Sequence, residues 1–156
     1  MRFILPFLLS IVLSPSSWGA DFEKGVTAFK NGDFETALRE WTPLAEQGDA
    51  KAQNGLGALY VKGRVVPQDY KAALKWFTRA AEQGFVSAQH NLGKMYYNGD
   101  GVPQDYKTAV KWYTLAAEEG DAAAQLALGL MYMLGQGVLQ DNISRHTFYA
   151  HMWFNI

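Results

Sequence analysis

The sequence predicts an all-α, right-handed solenoid of antiparallel helix pairs that repeats every 36 residues. One observation is self-similarity: Tyr70-Lys71, Ala73, Lys75-Trp76 and Ala80-Ala81-Glu82 through Gly84 return 36 positions later as Tyr106-Lys107, Ala109, Lys111-Trp112 and Ala116-Ala117-Glu118 through Gly120. A second is that the intervening segments repeat equally well, with Ala52-Gln53, Leu56-Gly57 and Tyr60 matched by Ala88-Gln89, Leu92-Gly93 and Tyr96, then by Ala124-Gln125, Leu128-Gly129 and Tyr132. The third is spacing within a segment. Ala73, Trp76, Phe77, Ala80, Ala81 and Gly84 fall at i, i+3, i+4, i+7, i+8 and i+11, one apolar stripe on a helix, while Lys71, Lys75, Arg79 and Glu82 lie off it and read as a solvated face.

Residues 1–20 differ from everything after them. Arg2 is their only charge, Phe3 to Leu13 is a nearly unbroken apolar run, and Ser14-Pro15-Ser16-Ser17-Trp18-Gly19-Ala20 follows, the layout of a secretory signal peptide. The run is too short to span a bilayer, which takes about 20 apolar residues. Cleavage is expected beside Gly19 or Ala20, leaving a periplasmic or secreted protein with no stable membrane insertion. The chain has no cysteine, so neither a lipid-modified leader nor a disulfide framework fits, and stability must come from packing.

Residues 21–156 divide into units of about 21–48, 49–84, 85–120 and 121–156. The first makes the step from Phe29 to Asp33 with five residues fewer than Tyr60 to Asp69, a short hairpin turn. In the later units the two helices are joined by loops such as Gly99-Asp100-Gly101-Val102-Pro103-Gln104-Asp105, in which glycine permits the turn, Val102 can pin the loop and Asp105 can cap the next helix. The equivalent loop at Gly63-Arg64-Val65-Val66 carries Val65 where Gly101 and Gly137 stand, which predicts a reshaped turn. Gly48 and Gly120 close helices, and Asp49 and Asp121 are placed to cap the next ones, so successive units meet at tight joints. Gly57, Gly93 and Gly129 sit inside helices despite the ~1 kcal/mol cost of glycine there, which predicts close helix approach. Trp76, Trp112, Tyr60, Tyr96 and Tyr132 read as core. In the last unit Ala150-x-x-Trp153 matches Ala109-x-x-Trp112 only after five extra residues, and the chain stops at Ile156 with that helix unfinished.

The pattern Leu92-Gly93-x-x-Tyr96-x-x-Gly99-x-Gly101-Val102-x-x-Asp105, followed by Lys107-x-Ala109-x-x-Trp112-x-x-x-Ala116-Ala117-x-x-Gly120, resembles the Sel-one-like repeat, a relative of the tetratricopeptide repeat. The resemblance extends over nearly all of residues 21–156. It implies adaptor or scaffold modules, including exported bacterial ones that regulate or dock partners.

The residues themselves offer little for catalysis. His146 and His151 are five apart, off one helix face, and there is neither a His-Glu-x-x-His nor a Cys-His arrangement for a metal. No Gly-x-Ser-x-Gly or Ser-x-x-Lys motif appears after the leader. The glycine-rich loops follow no strand, so they are not nucleotide fingerprints. A formal net charge of -1 supplies no electrostatic reason for a nucleic-acid partner. The expectation is therefore no enzyme, no metal and no cofactor.

By the resemblance to tetratricopeptide solenoids, the first helix of each pair lines a concave groove. That selects Glu23, Thr27 and Lys30; Lys51, Asn54, Ala58, Val61 and Lys62; Ser87, His90, Lys94, Tyr97 and Asn98; and Ala123, Leu126, Leu130, Met133 and Leu134. The groove runs from polar to apolar. Its last stripe is covered either by the terminal segment around Phe148, Met152, Trp153 and Phe154 or by a partner or a second copy. The function expected is an exported scaffold holding a protein partner, with Tyr97, His90, Asn54 and Lys94 supplying contacts. His90 reads equally as a plain surface residue. The alternatives are binding of cell-wall glycan, or a truncated repeat protein with little function of its own.

Overall fold

The computed structural model describes residues 19–137. Most of the expected leader, the expected closing helix with Ala150 and Trp153, the expected covering residues Phe148, Met152 and Phe154, and His146 and His151 lie outside the described residues. Within them the chain is all-α, with no strand: α1 (Phe22–Lys30), α2 (Phe34–Glu46), α3 (Ala50–Lys62), α4 (Tyr70–Glu82), α5 (Val86–Asn98), α6 (Tyr106–Glu118) and α7 (Ala122–Met133). Each helix packs chiefly on its neighbours in the chain, the one-dimensional order of a solenoid.

Aspartate chemistry sets the helix starts. The side chains of Asp21, Asp33, Asp49, Asp69, Asp105 and Asp121 each accept a backbone N–H two or three residues on. Such a cap stabilises a helix by about 1 kcal/mol. Only α5 departs from this among the described helices, starting at Phe85 with no side-chain cap. The joint within a unit is also repeated. Gln68 Nε2 donates to the Val61 carbonyl at 2.9 Å, and 36 residues later Gln104 Nε2 donates to the Tyr97 carbonyl at 2.8 Å.

The core comes in three repeated blocks, each built from the second helix of one unit and the first helix of the next. Ala37, Trp41, Ala45, Ala52, Leu56 and Leu59 are buried in the first. Ala73, Phe77, Ala81, Ala88, Leu92 and Met95 form the second, and Ala109, Tyr113, Ala117, Ala124, Leu128 and Met131 the third. The buried blocks thus span the joints between sequence units. One large ring per block is surrounded by alanine, and the first helix of the ring's own unit supplies glycine to make room for it. A Cβ on Gly57 would stand 2.5 Å from the Phe77 ring, and one on Gly93 2.7 Å from the Tyr113 ring. Trp41 is held from two sides: a Cβ on Gly55 of α3 would fall 2.6 Å from the indole, and Gly25 of α1 presses on its other edge. The indole Nε1 also donates to the Phe22 carbonyl at 3.2 Å.

The expectation that Trp76, Trp112, Tyr60, Tyr96 and Tyr132 form the core is corrected by these blocks. All five are half-buried. Trp76 packs against the first block and Trp112 against the second, each reaching back to the preceding unit, while the residue one step further on, Phe77 or Tyr113, is the buried one. Adjacent residues on a helix point about 100° apart, so neighbouring aromatics serve the interfaces on either side of their helix.

The reshaped turn at Val65 is present. Gly101 has φ +73°, and a Cβ there would meet the Tyr70 backbone at 2.8 Å, so only glycine lets the loop settle onto the start of α4. No non-glycine residue among those described has positive φ. Val65 takes another path and packs on the first block, beside a cavity of about 260 Å³ lined by Gly32, Asp33, Phe34, Glu35, Arg64 and Val65.

Glu40 occupies the repeat position of Trp76 and Trp112 and makes polar contacts within its own hairpin. Its carboxylate, only 6% exposed, takes Lys24 Nζ at 2.7 Å on one oxygen and the Asp21 N–H at 3.1 Å on the other, with Arg39 at 3.5 Å. The hydrogen bond from Lys24, then that from Asp21, hold its carboxyl below the ordinary carboxylate value.

Candidate partner-binding groove

Three cavities follow one another between the first helices of successive units. The first, about 330 Å³, lies between α1 and α3 and is lined by Phe22, Val26, Phe29, Lys30, Lys51, Asn54 and Ala58 among others. The second, about 490 Å³, lies between α3 and α5: Ala58, Val61, Phe77 and Met95 supply apolar surface, and Lys62, Tyr70, Asn91, Lys94, Asn98 and Asp100 the polar groups. The third, about 160 Å³, is lined by Tyr97, Tyr113, Ala127, Leu130 and Met131 between α5 and α7. Small residues on α3, above all Ala58, which borders two of the cavities, leave this space.

Of the residues expected in the groove, Lys51 and Asn54 border the first cavity, Lys62, Lys94 and Asn98 the second, and Tyr97 and Leu130 the third. Ser87 is exposed at the start of α5. Leu126, Leu130, Met133 and Leu134 are 52%, 44%, 63% and 62% exposed, an open apolar stripe on α7 and just beyond it. Residues not singled out from sequence also face the cavities: Asn91, Met95 and Tyr70 in the second, Phe22 and Phe85 in the first.

His90 is not free on the groove side. It is half-buried, with Nδ1 3.0 Å from Asp121 Oδ1, and its ring meets the Tyr113 ring edge-on at 5.6 Å. Asp121 is the N-cap of α7 and also accepts the Ala124 N–H at 2.6 Å. The imidazole therefore ties one unit to the next. Asn54 is likewise engaged, its Oδ1 accepting from Asn91 Nδ2 at 3.0 Å, an amide pair that bridges α3 and α5 between the first two cavities. Burial pushes the Tyr113 hydroxyl up to about 12, with smaller contributions from Tyr97 and Asp121.

Charge is distributed unevenly. Helices α3, α5 and α7 contain no Asp or Glu; their formal charges are Lys51, Lys62 and Lys94. Lys30, at the end of α1, joins Lys51 at the first cavity. Two of these ammonium groups rest over rings: Lys51 Nζ lies 5.8 Å from the Phe22 centroid, and Lys62 Nζ lies 5.3 Å from Phe29 and 5.8 Å from Phe34. Among the described residues no three His, Cys, Asp or Glu side chains are grouped to hold a metal ion, and no helix is long and apolar enough to cross a membrane.

The Sel1 repeat model matches residues 50–85, 86–121 and 122–155. Among solved structures, a protective antigen present in uropathogenic Escherichia coli strains and displaying an SLR fold is 45% identical, with a TM-score of 0.69 over 76% of this chain and 24% of that one. A Sel1 repeat protein from Oxalobacter formigenes is 33% identical, with a TM-score of 0.77 over 88% of this chain and 53% of that one. The chain thus spans about a quarter and about half of the lengths of these two proteins. No curated protein matches it.

Proposed function

Since this chain belongs to the Sel1 repeat family, whose repeats commonly mediate protein–protein interaction, we propose that it is an exported, non-catalytic scaffold that holds a protein partner along the groove lined by α1, α3, α5 and α7. The observation that carries this reading is the succession of cavities on one side of the solenoid, of about 330, 490 and 160 Å³, each with apolar lining and with polar side chains at two of them. A row of such depressions suits a chain laid across several repeats, each taking one side chain, better than it suits one compact ligand. Export rests on the leader-like residues 1–20.

The test is site-specific photocrosslinking in the exporting cell. A photoreactive side chain at Lys94, beside the second cavity, should capture a discrete protein, whereas one at the exposed Lys75 of α4 should not. Capture that is equal from both positions, or absent from Lys94, removes the groove from the proposal. Sedimentation with purified cell-wall sacculi in the same strains checks the glycan reading.

A further inference from the structure

We propose that the groove is selective for an acidic segment of extended peptide carrying large apolar side chains, with its carboxylates met by Lys62 and Lys94 and an apolar side chain seated in the cavity between α3 and α5. This rests on the reading of the groove as a protein-binding surface and narrows it to one chemistry. The chain as a whole has a formal net charge of -1, yet α3 and α5, the two groove-side helices that flank the second cavity, carry Lys51, Lys62 and Lys94 and no carboxylate, and α7 carries no charged side chain. Apart from Glu23 at the start of α1, the acids of the described residues are placed on the second helices of the units, at the caps and in the loops. Asp100, the one carboxylate bordering the second cavity, already accepts the Asn98 amide at 3.0 Å.

The second cavity has the composition such a segment requires. Ala58, Val61, Phe77 and Met95 offer apolar surface inside about 490 Å³, and Lys62 and Lys94 stand at its border with exposed side chains. Lys62 is also pre-positioned, because the rings of Phe29 and Phe34 lie under its ammonium group at 5.3 and 5.8 Å. Holding a charge in place before binding lowers the ordering cost of using it. Asn91 and Asn98 supply amide groups beside the same cavity that can pair with a peptide backbone. A polyanion such as heparin or single-stranded nucleic acid would use the lysines but not the apolar cavities, and it needs a longer basic track than Lys30, Lys51, Lys62 and Lys94 provide.

The probe is a random linear-peptide phage library panned on the immobilised full chain. Enriched sequences should combine Asp or Glu with Leu, Phe or Trp. A fluorescent synthetic peptide from that pool should bind more weakly as salt is raised, and about tenfold more weakly to Lys62→Gln/Lys94→Gln, as expected for the loss of two exposed ion pairs. Lys71→Gln/Lys75→Gln on α4 should bind it unchanged. Circular dichroism melts confirm that both double variants are folded, and single Lys62→Gln and Lys94→Gln chains replace the first pair if it is not. A basic or uncharged pool, no enrichment, equal loss in the α4 variant, or heparin binding that depends on Lys62 and Lys94 while no peptide binds would each overturn the assignment. A protein crosslinked at Lys94 through a basic stretch would leave the scaffold reading standing and remove this one.

Discussion

Gly93 of α5 lies flat against the Tyr113 ring of α6, close enough that a β-carbon would sit 2.7 Å from the ring. Tyr113 is 5% exposed and packed within its block, so the ring can yield only toward the small cavity it borders. Gly93→Ala should destabilise the protein by about 1–2 kcal/mol, the overpacking cost outweighing the ~1 kcal/mol that alanine gains in a helix. In a Tyr113→Ala background the same change should be neutral or stabilising. A urea-denaturation double-mutant cycle reads the difference, and additive effects would show that the two residues do not oppose one another.

Gln53 and Gln89 stand at equivalent positions but are satisfied differently. Gln53 Nε2 donates to the Ala45 carbonyl at 3.1 Å, and its Oε1 accepts Gln83 Nε2 at 2.9 Å. One repeat on, the position of Gln83 is taken by Glu119, an acceptor when ionised, and Gln89 Oε1 is left buried with no partner. Glu119→Gln should restore the missing donor and raise stability by about 0.5–1.5 kcal/mol. A urea midpoint that stays put or falls would refute that account of the orphaned oxygen.

Acid should loosen the first hairpin through Glu40. Its folded carboxyl titrates below the ordinary value of 4.5, chiefly through the Lys24 and Asp21 hydrogen bonds. The stability it contributes is therefore present above that value and is lost as pH falls through the lower, folded one. Asp33 and Asp105, lowered by hydrogen bonds from Thr36 and Thr108, act in the same direction. Thermal midpoints of the wild type and Glu40→Gln should differ most near neutrality and converge in acid; parallel curves would contradict this linkage.

Tyr113 should ionise late. Absorbance titration near 295 nm should show a step delayed to about pH 12 that is absent from Tyr113→Phe. Because the unfolded phenol ionises near 10, the fold loses stability as pH rises through the window from about 10 to about 12. A titration curve that Tyr113→Phe leaves unchanged in shape near pH 12 would count against burial as the cause.

Much of this architecture is legible because it is written several times. Leu56, Leu92 and Leu128 are buried at the spacing of the repeat, and the capping aspartates recur with it. What escapes is whatever does not repeat or depends on how the units stack. Trp76 and Phe77 both fit the apolar stripe, and only packing decides that Phe77 turns inward. Asn91 pairs with Asn54 across 37 residues, one off the period, so no alignment of the chain with itself brings the two together. His90 carries a side chain suited to a groove contact, yet its partner is the cap of the next unit. The lysines are visible in the sequence, but the cavities they border arise from the gaps between helices.

Trp41, clasped by Gly25 on one side and Gly55 on the other, has a mechanical consequence. Stability in a linear stack sums over neighbouring interfaces, so a molecule pulled at both ends sheds its units serially. Phe77 and Tyr113 each press on a single glycine of the neighbouring helix, whereas the tryptophan pins three helices with one ring. Stretched in an optical trap, the chain should peel from its far end toward α1, and the final rupture should belong to the hairpin that Trp41 locks.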